Sequence, residues 1–320
     1  MDASYPATAA ERDRWIVAQR TSRASLNPLQ PYAFHVEDEA AAVGTIQPVA
    51  TVFLTNRECP WRCVMCDLWR NTLSSAVRPG AIPAQIDYAL ERLPHARTIK
   101  LYNSGSFFDP HAIPVADYAA IAERFNSFDR VIVECHPSLV GDKCLAFRDM
   151  LHGRLEVAMG LETAHPEVLK QLNKRMTLEE FAAAAAFLGE NHIDLRSFVL
   201  VQPPFMRPED SLYWAQRSLD FAFDCGATAV SLIPTRGGNG AMETLASLGE
   251  FTAPRLAQVE LAMSYGIGLR RGRVFVDLWD AQPGMECLKC HPARIARLQT
   301  MNLQQTDLPS IHCNVCGGHN

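Results

Sequence analysis

The stretch PVATVFLTNRECPWRCVMCDLW, residues 48–69, sets an apolar β-rich run (48–55) directly against a loop that carries Cys59, Cys63 and Cys66. A short apolar run bounded by turn residues reads as a buried strand. Five more such runs follow: RTIKLYN (97–103), RVIVEC (130–135), RLEVAMGLE (154–162), LRSFVLVQ (195–202) and ATAVSLIP (227–234). Helical patterns alternate with them, among them PAQIDYALERL, PVADYAAIAERF, DKCLAFRDML, LEEFAAAAAFLGEN, PEDSLYWAQRSLDFAFDCG and PRLAQVELAMSYG. Alternation of this kind implies right-handed crossovers and a parallel sheet, closed as a barrel or open and doubly wound. The loop after the first strand makes the choice, because it holds cysteines where a dinucleotide-binding sheet holds a Gly-rich turn. The expected fold is therefore α/β, a partial (β/α)6-type TIM barrel with its chemistry at the carboxyl ends of the strands.

The composition agrees with one large domain and appendages: 320 residues, 48% hydrophobic and 20% charged. That balance excludes a short disulfide scaffold, a disordered chain and a collagen-like one. Thirty Lys and Arg against 35 Asp and Glu leave a net charge of −5, so nothing global advertises a polyanionic partner. The N-terminus, MDASYPATAAERDRWIVAQR, mixes acids and bases, and no run is long enough to cross a bilayer. The expectation is a soluble cytoplasmic protein without a membrane partner, whose ten cysteines are mostly reduced. Residues 1–45 read as a lead-in, an amphipathic helix from Ala10 to Arg20 followed by the irregular NPLQPYAF. Residues 46–266 form the expected core, and 267–320 a C-terminal extension. That extension opens on IGLRRGRVFVDLWD (267–280), a further strand candidate, and ends in a cysteine-rich tail with little apolar periodicity beyond HPARIARLQTM. Such a tail is expected to need a metal to order itself.

The cysteines gather in two groups. Cys59, Cys63 and Cys66 are spaced C-x3-C-x2-C on one loop. Three thiolates there can grip three irons of a cubane cluster and leave the fourth iron open. An open metal position points to catalysis, by the logic that separates catalytic from structural zinc sites. The plainer alternatives are three buried core cysteines or a zinc site completed by a distant ligand. Cys287, Cys290, Cys313 and Cys316 form two C-x2-C knuckles with 22 residues between them, which describes a closed four-thiolate site. Zinc comes first and an auxiliary 4Fe-4S cluster second; His291 and His312 adjoin the ligands and either can replace one. Cys144 and Cys225 fall on helical patterns and read as core, and Cys135 sits at a strand end with its role open.

The first cysteine loop, at the carboxyl end of the first strand of a β/α array, resembles that of the radical S-adenosylmethionine (radical SAM) superfamily. The resemblance spans roughly residues 48–240. It implies a 4Fe-4S cluster on Cys59, Cys63 and Cys66 that cleaves SAM reductively, with electrons from a flavodoxin- or ferredoxin-like donor. Met65 stands where the superfamily usually has an aromatic residue, leaving Trp61 and Trp69 to shield the cluster. After the second strand, Asn103, Ser104, Gly105 and Ser106 occupy the place of a Gly-Gly-Glu turn that receives the amino group of SAM, without its glutamate. The stretches VECHP and GLETAHPEVLKQLNKRMTLEEF look like the branch that contains elongator catalytic subunits, methylthiotransferases and coproporphyrinogen dehydrogenases. The likeness implies that Glu162 lies beside the cofactor and that Lys174, with Arg175 as the alternative, meets its carboxylate. Glu134 is a further candidate contact. FVLVQPPFMRPED resembles the adenine wall, and SLIPTRGGNG supplies a rim of Thr235, Arg236 and Gly237 to Gly240.

Substrate classes remain several at this level. An RNA nucleoside suits the branch and a basic surface formed by Arg270, Arg271, Arg273, Lys289, Arg294 and Arg297 beside the tail. A small molecule or peptide, with an auxiliary cluster, suits the acidic net charge. A different class is a non-catalytic zinc protein in which both cysteine groups are structural.

Overall fold

The computed structural model describes residues 4–41, 44–279 and 287–315; Cys316 lies outside them. One eight-stranded sheet runs β1 (Ala33–Ala40), β2 (Ile46–Phe53), β3 (Thr98–Tyr102), β4 (Arg130–Glu134), β5 (Arg154–Glu162), β6 (Asp194–Val201), β7 (Ala229–Pro234) and β8 (Arg273–Val276), paired in chain order. β1 is antiparallel to β2, and every later pair is parallel. The helices are α1 (Ala9–Ala18), α2 (Ala81–Leu90), α3 (Tyr118–Glu123), α4 (Asp142–Arg148), α5 (Pro166–Gln171), α6 (Leu178–Glu190), α7 (Ser211–Asp224), α8 (Ala241–Ser247), α9 (Leu256–Leu269) and α10 (His291–Gln304). The six expected parallel strands all form, and the fold is the expected partial TIM barrel. Among the described residues no helix is long and apolar enough to cross a membrane.

The sheet curls until its two edges meet at the amino-terminal end of the parallel strands. There Arg273 of β8 donates to the Ala40 carbonyl of β1 at 3.2 Å, and Ala40 packs on Ala229 and Phe275. The outer face is ordinary: Val52, Leu101, Val131, Val157, Val199, Val230 and Val274 are buried with the inward faces of the helices in one apolar core. α6 shows how locally the helices are specified. Thr177 and Glu180 make a reciprocal capping box, and small Ala184 and Ala185 let the helix pack closely.

Residues 33–40 differ from the expected irregular lead-in. β1 alternates, with Phe34 and Val36 packed on the outer core while Glu37 and Glu39 point at Lys100 of β3. Glu39 also bonds Arg196 of β6 at 2.6 Å, and Arg196 reaches Glu156 of β5 at 2.7 Å. Glu156 in turn meets Arg130 of β4 at 2.8 Å. The barrel floor is thus filled by ion pairs instead of apolar layers. Burial penalises the Glu39 carboxylate, and Arg196 and Lys100 more than offset it, holding the group well below the usual carboxylate range. Breaking such a network by removing one partner costs far more than the pair itself contributes.

Apolar packing and hydrogen bonds to the sheet hold the helical part of the tail. Leu298 and Met301 of α10 are fully buried in the main core. Asn302 and Gln305 bond the N–H and carbonyl groups of Val276 and Val274 at 2.7–2.9 Å, so side chains cover the free edge of β8. α9 runs without a break across residues 266 and 267, and β8 extends the same sheet.

The expected basic surface forms only in part: Arg270, Arg271 and Lys289 are exposed, and the other three arginines are not. Arg273 points into the barrel towards Glu156, while Arg294 and Arg297 are buried against Glu260. Arg271 pairs with Asp224, and Arg270 takes the left-handed position that ends α9.

Candidate functional site

The loop with Cys59, Cys63 and Cys66 leaves the carboxyl end of β2 and is held from four sides. Asn173 donates to the Arg62 carbonyl at 2.8 Å, and Asn239 to the carbonyls of Val64 at 2.7 Å and Cys66 at 3.1 Å. Val64 N–H bonds the Leu172 carbonyl at 3.0 Å, and Arg62 caps the Cys59 carbonyl. Trp61 lies flat on His136, with centroids 3.8 Å apart and planes 8° apart. His136 is fixed in turn: its Nε2 donates to the Lys174 carbonyl at 3.0 Å, and its Nδ1 accepts from Ser138 N–H at 3.2 Å. Burial lowers its pKa to about 4, which keeps the ring neutral and consistent with that bonding. Of the two tryptophans expected near the cysteines, Trp61 is therefore part of the loop's clamp, and Trp69 is buried under Arg20. Met65 packs in a satellite cluster with Val64 and Leu172. His136, Asn173 and Asn239 were not picked out as loop supports from sequence, because each comes from a distant part of the chain.

None of the three cysteines is in a disulfide. Burial pushes each up to about 12, so their thiolates form only with a compensating cation. Lys174 provides part of that field. Burial pulls its pKa down, and Glu162 with the sulfurs of Cys63 and Cys59 outweighs the loss and raises it. Lys174 and Glu162 form a buried ion pair at the end of β5, where a Cβ on Gly160 would sit within 2.2 Å of Lys174 Nζ. Glu162 reaches this position with a left-handed φ of 66° at a bulge in the β5–β6 register. Arg175 turns away: its guanidinium pairs with Asp13 of α1 and is 44% exposed. Of the two bases considered, only Lys174 faces the cysteine loop.

The turn after β3 lies against this loop, since a Cβ on Gly105 would approach Cys59 Cβ at 3.2 Å. Ser104 has a φ of 54°. Glu134, at the end of β4, accepts from Asn103 N–H at 2.8 Å, and the N–H groups of Ser104 and Gly105 also favour its ionised form. Burial is the larger influence and raises it to about 7. Glu134 thus braces the backbone of this turn from the next strand. Ser106 Oγ accepts from His136 N–H at 2.7 Å, tying the turn to the Trp61 clamp.

Several buried polar atoms at this end have no hydrogen-bond partner among the described residues: both amide atoms of Asn103, Thr55 Oγ1, Asn56 Oδ1, Gln202 Oε1 and Thr235 Oγ1. Asn103 is fully buried. Unsatisfied groups of this kind are rare in folded proteins and cluster where a ligand completes them. Three thiols, a buried cation and orphaned amide and hydroxyl groups fit an iron-sulfur cluster together with an amino acid-bearing nucleoside. Gln202, with φ 58°, was noticed only as part of an apolar wall.

The second cysteine group is tighter. The sulfurs of Cys287, Cys290 and Cys313 lie within 4.8 Å of one another, with Cys287 and Cys313 3.9 Å apart. Among the described residues no other group of cysteine, histidine or acidic ligands converges this closely, and the first three cysteines do not.

No family model matches the chain. The solved structure of methylornithine synthase superposes with a TM-score of 0.52 at 12% identity, over 79% of this chain and 69% of that one. That likeness defines the fold: the half-barrel of this chain is built as methylornithine synthase is. Among curated proteins, an uncharacterized protein of Methanocaldococcus jannaschii is 23% identical over 243 residues, 71% of this chain and 67% of that protein. Archaeosine synthase subunit beta of Methanosarcina acetivorans is 25% identical over 222 residues, 64% of this chain and 63% of that protein. The matched region thus spans about two-thirds of each relative.

Proposed function

We propose that the chain is a radical SAM enzyme that modifies an RNA nucleoside, holding a 4Fe-4S cluster on Cys59, Cys63 and Cys66. When bound, that cluster supplies the electron for reductive cleavage of SAM, and the resulting radical chemistry removes hydrogen from an unreactive carbon. The chain's own residues bind and orient. Lys174 offers its cation to the SAM carboxylate, with Glu162 fixing the ammonium in place. The 103–106 turn, braced by Glu134, presents Asn103 amide atoms and backbone to the amino group and ribose. Gln202 and Thr235 extend the same polar lining to the ends of β6 and β7.

The observation that carries this reading is the buried Lys174–Glu162 pair aimed at the thiols, because a floor of ion pairs serves stability whereas this one sits at the open end beside orphaned polar groups. For the substrate, support comes from the relative whose name ties it to archaeosine synthesis, a nucleoside product. The same name, a subunit, favours a second chain in the working assembly alongside a flavodoxin- or ferredoxin-like electron donor. A cytoplasmic setting suits the proposed oxygen-sensitive chemistry and a chain with ten cysteines.

At the second cysteine group the geometry favours one zinc over an auxiliary cluster. Ligands 2.3 Å from a tetrahedral ion stand about 3.8 Å apart, and Cys287 and Cys313 are already 3.9 Å apart. The fourth ligand proposed is Cys316. Were both groups structural zinc sites, the protein would be a binding module. Anaerobic purification decides: iron and acid-labile sulfide at the first site, with 5′-deoxyadenosine released from SAM on dithionite reduction, support the enzyme. Zinc at both sites and no cleavage overturn it.

A further inference from the structure

We propose that an aromatic cluster at the barrel mouth, with Trp279 at its edge, is a stacking platform for a base of single-stranded RNA, a proposal that rests on the RNA-nucleoside reading above. Six rings form a connected set. Tyr32 meets Phe53 with centroids 5.5 Å apart, Phe53 meets Tyr102 at 5.9 Å, and Tyr102 meets Phe198 at 6.2 Å. His35 stacks on Trp279 at 5.5 Å with planes 21° apart, and Phe53 reaches Trp279 at 6.4 Å. They come from the segment entering β1, from β1, from the ends of β2 and β3, from β6, and from the turn after β8. Ala33 of β1 pairs with Phe53, so this is the end of the barrel that bears the cysteine loop.

Two contacts bracket the rings with the site. On one side Tyr32 Oη lies 3.4 Å from Ser104 Oγ in the cofactor turn. On the other, Arg236 donates to the Trp279 carbonyl at 2.9 Å and stands 3.9 Å from the carboxylate of Asp67, the residue after Cys66. The Trp279 N–H is also fixed, on Asp277 Oδ1 at 2.9 Å. A tryptophan held by both of its peptide groups, stacked on one neighbour and still 59% exposed, presents ring area beside the chemistry without burying it. Rings of this kind accept the π-face of any base. The acids nearby, Asp277 and Glu37, oppose a phosphate and suit the exocyclic amino groups of a base. With Arg271, Arg273, Arg294 and Arg297 engaged in ion pairs, stacking at the mouth takes over much of the recognition that sequence had assigned to a basic patch.

The test compares the reconstituted full chain with its Trp279→Ala and Trp279→Phe variants in binding a single-stranded ribo-oligonucleotide and the matching abasic backbone. Trp279→Ala should weaken the base-bearing oligonucleotide by roughly 5- to 100-fold. Trp279→Phe should restore most of that, and the abasic backbone should bind all three proteins equally. An unchanged affinity in Trp279→Ala, or an equal loss for the abasic backbone, overturns the platform, as does stronger binding of a tyrosine-bearing peptide than of the oligonucleotide. SAM cleavage by the wild type without RNA checks the underlying reading separately: its failure sinks that reading, while a base-independent result sinks the platform alone.

Discussion

The two ends of this barrel solve opposite problems with similar residues. At the floor, Glu39, Lys100, Glu156 and Arg196 each meet an opposite charge drawn from a different strand. At the mouth, Asn103, Asn56, Gln202 and Thr235 are just as buried and leave polar atoms unpaired, and the backbone takes left-handed φ values at Ser104, Glu162 and Gln202. Satisfied polar groups stabilise; unsatisfied groups on strained backbone persist where a ligand completes them. The contrast separates paired charges from unpaired polar groups in one sheet.

Removing a ligand from the mouth has the largest expected effect. Cys59→Ala, Cys63→Ala or Cys66→Ala should each abolish reductive SAM cleavage with the circular dichroism spectrum unchanged, because three thiolates are the whole protein-derived ligand set. Full cleavage in any one of them would contradict the assignment. At the floor, Arg196→Ala removes the buried cation that Glu39 and Glu156 share, leaving them Lys100, Arg130 and Arg273, and should cost about 3–5 kcal/mol of stability in urea titrations. Asn103→Ala, equally buried, should leave the stability of the ligand-free protein nearly unchanged and weaken SAM. If the two variants lose similar stability, the distinction between floor and mouth fails.

Lys174→Ala should weaken SAM by about 1.5–3 kcal/mol, the range for a charge-assisted bond, and Arg175→Ala should have little effect because its partner is Asp13. Isothermal titrations giving the reverse order would move the role to Arg175. Glu134 offers a pH test. Its folded pKa, about 7, lies above the usual value of 4.5, so its contribution favours the fold below pH 4.5 and is lost as pH rises through 7. Relative to Glu134→Gln, the ligand-free wild type should therefore lose about 1–3 kcal/mol between pH 4.5 and 8, read as a difference in unfolding free energy. A difference that stays flat with pH would show the carboxylate to be solvated. The smallest effect is expected from Cys287→Ala combined with Cys313→Ala. One metal per chain should be lost, while uncoupled SAM cleavage and amide protection across 291–304 remain, since Leu298 and Met301 anchor α10. Collapse of that protection would make the metal the anchor instead.

The alternation of apolar runs and helical patterns between residues 48 and 234 was sufficient for the parallel barrel, because strands buried on their outer face carry a local signal that needs no partner. The cysteine spacing was likewise legible, since each motif, one C-x3-C-x2-C and two C-x2-C, lies within a few neighbouring residues. β1 was not. Its inward residues are His35, Glu37 and Glu39, which read as a polar loop until Lys100 and Arg196 arrive from strands far along the chain. The same reason hid the clamps on the cysteine loop and took Arg273, Arg294 and Arg297 out of the apparent basic patch: whether an arginine faces water or a buried carboxylate depends on what the fold brings opposite it. Residue type and local period determined the barrel and the grouping of its cysteines; the pairing of charges and the polar groups left unpaired were decided only when the sheet closed.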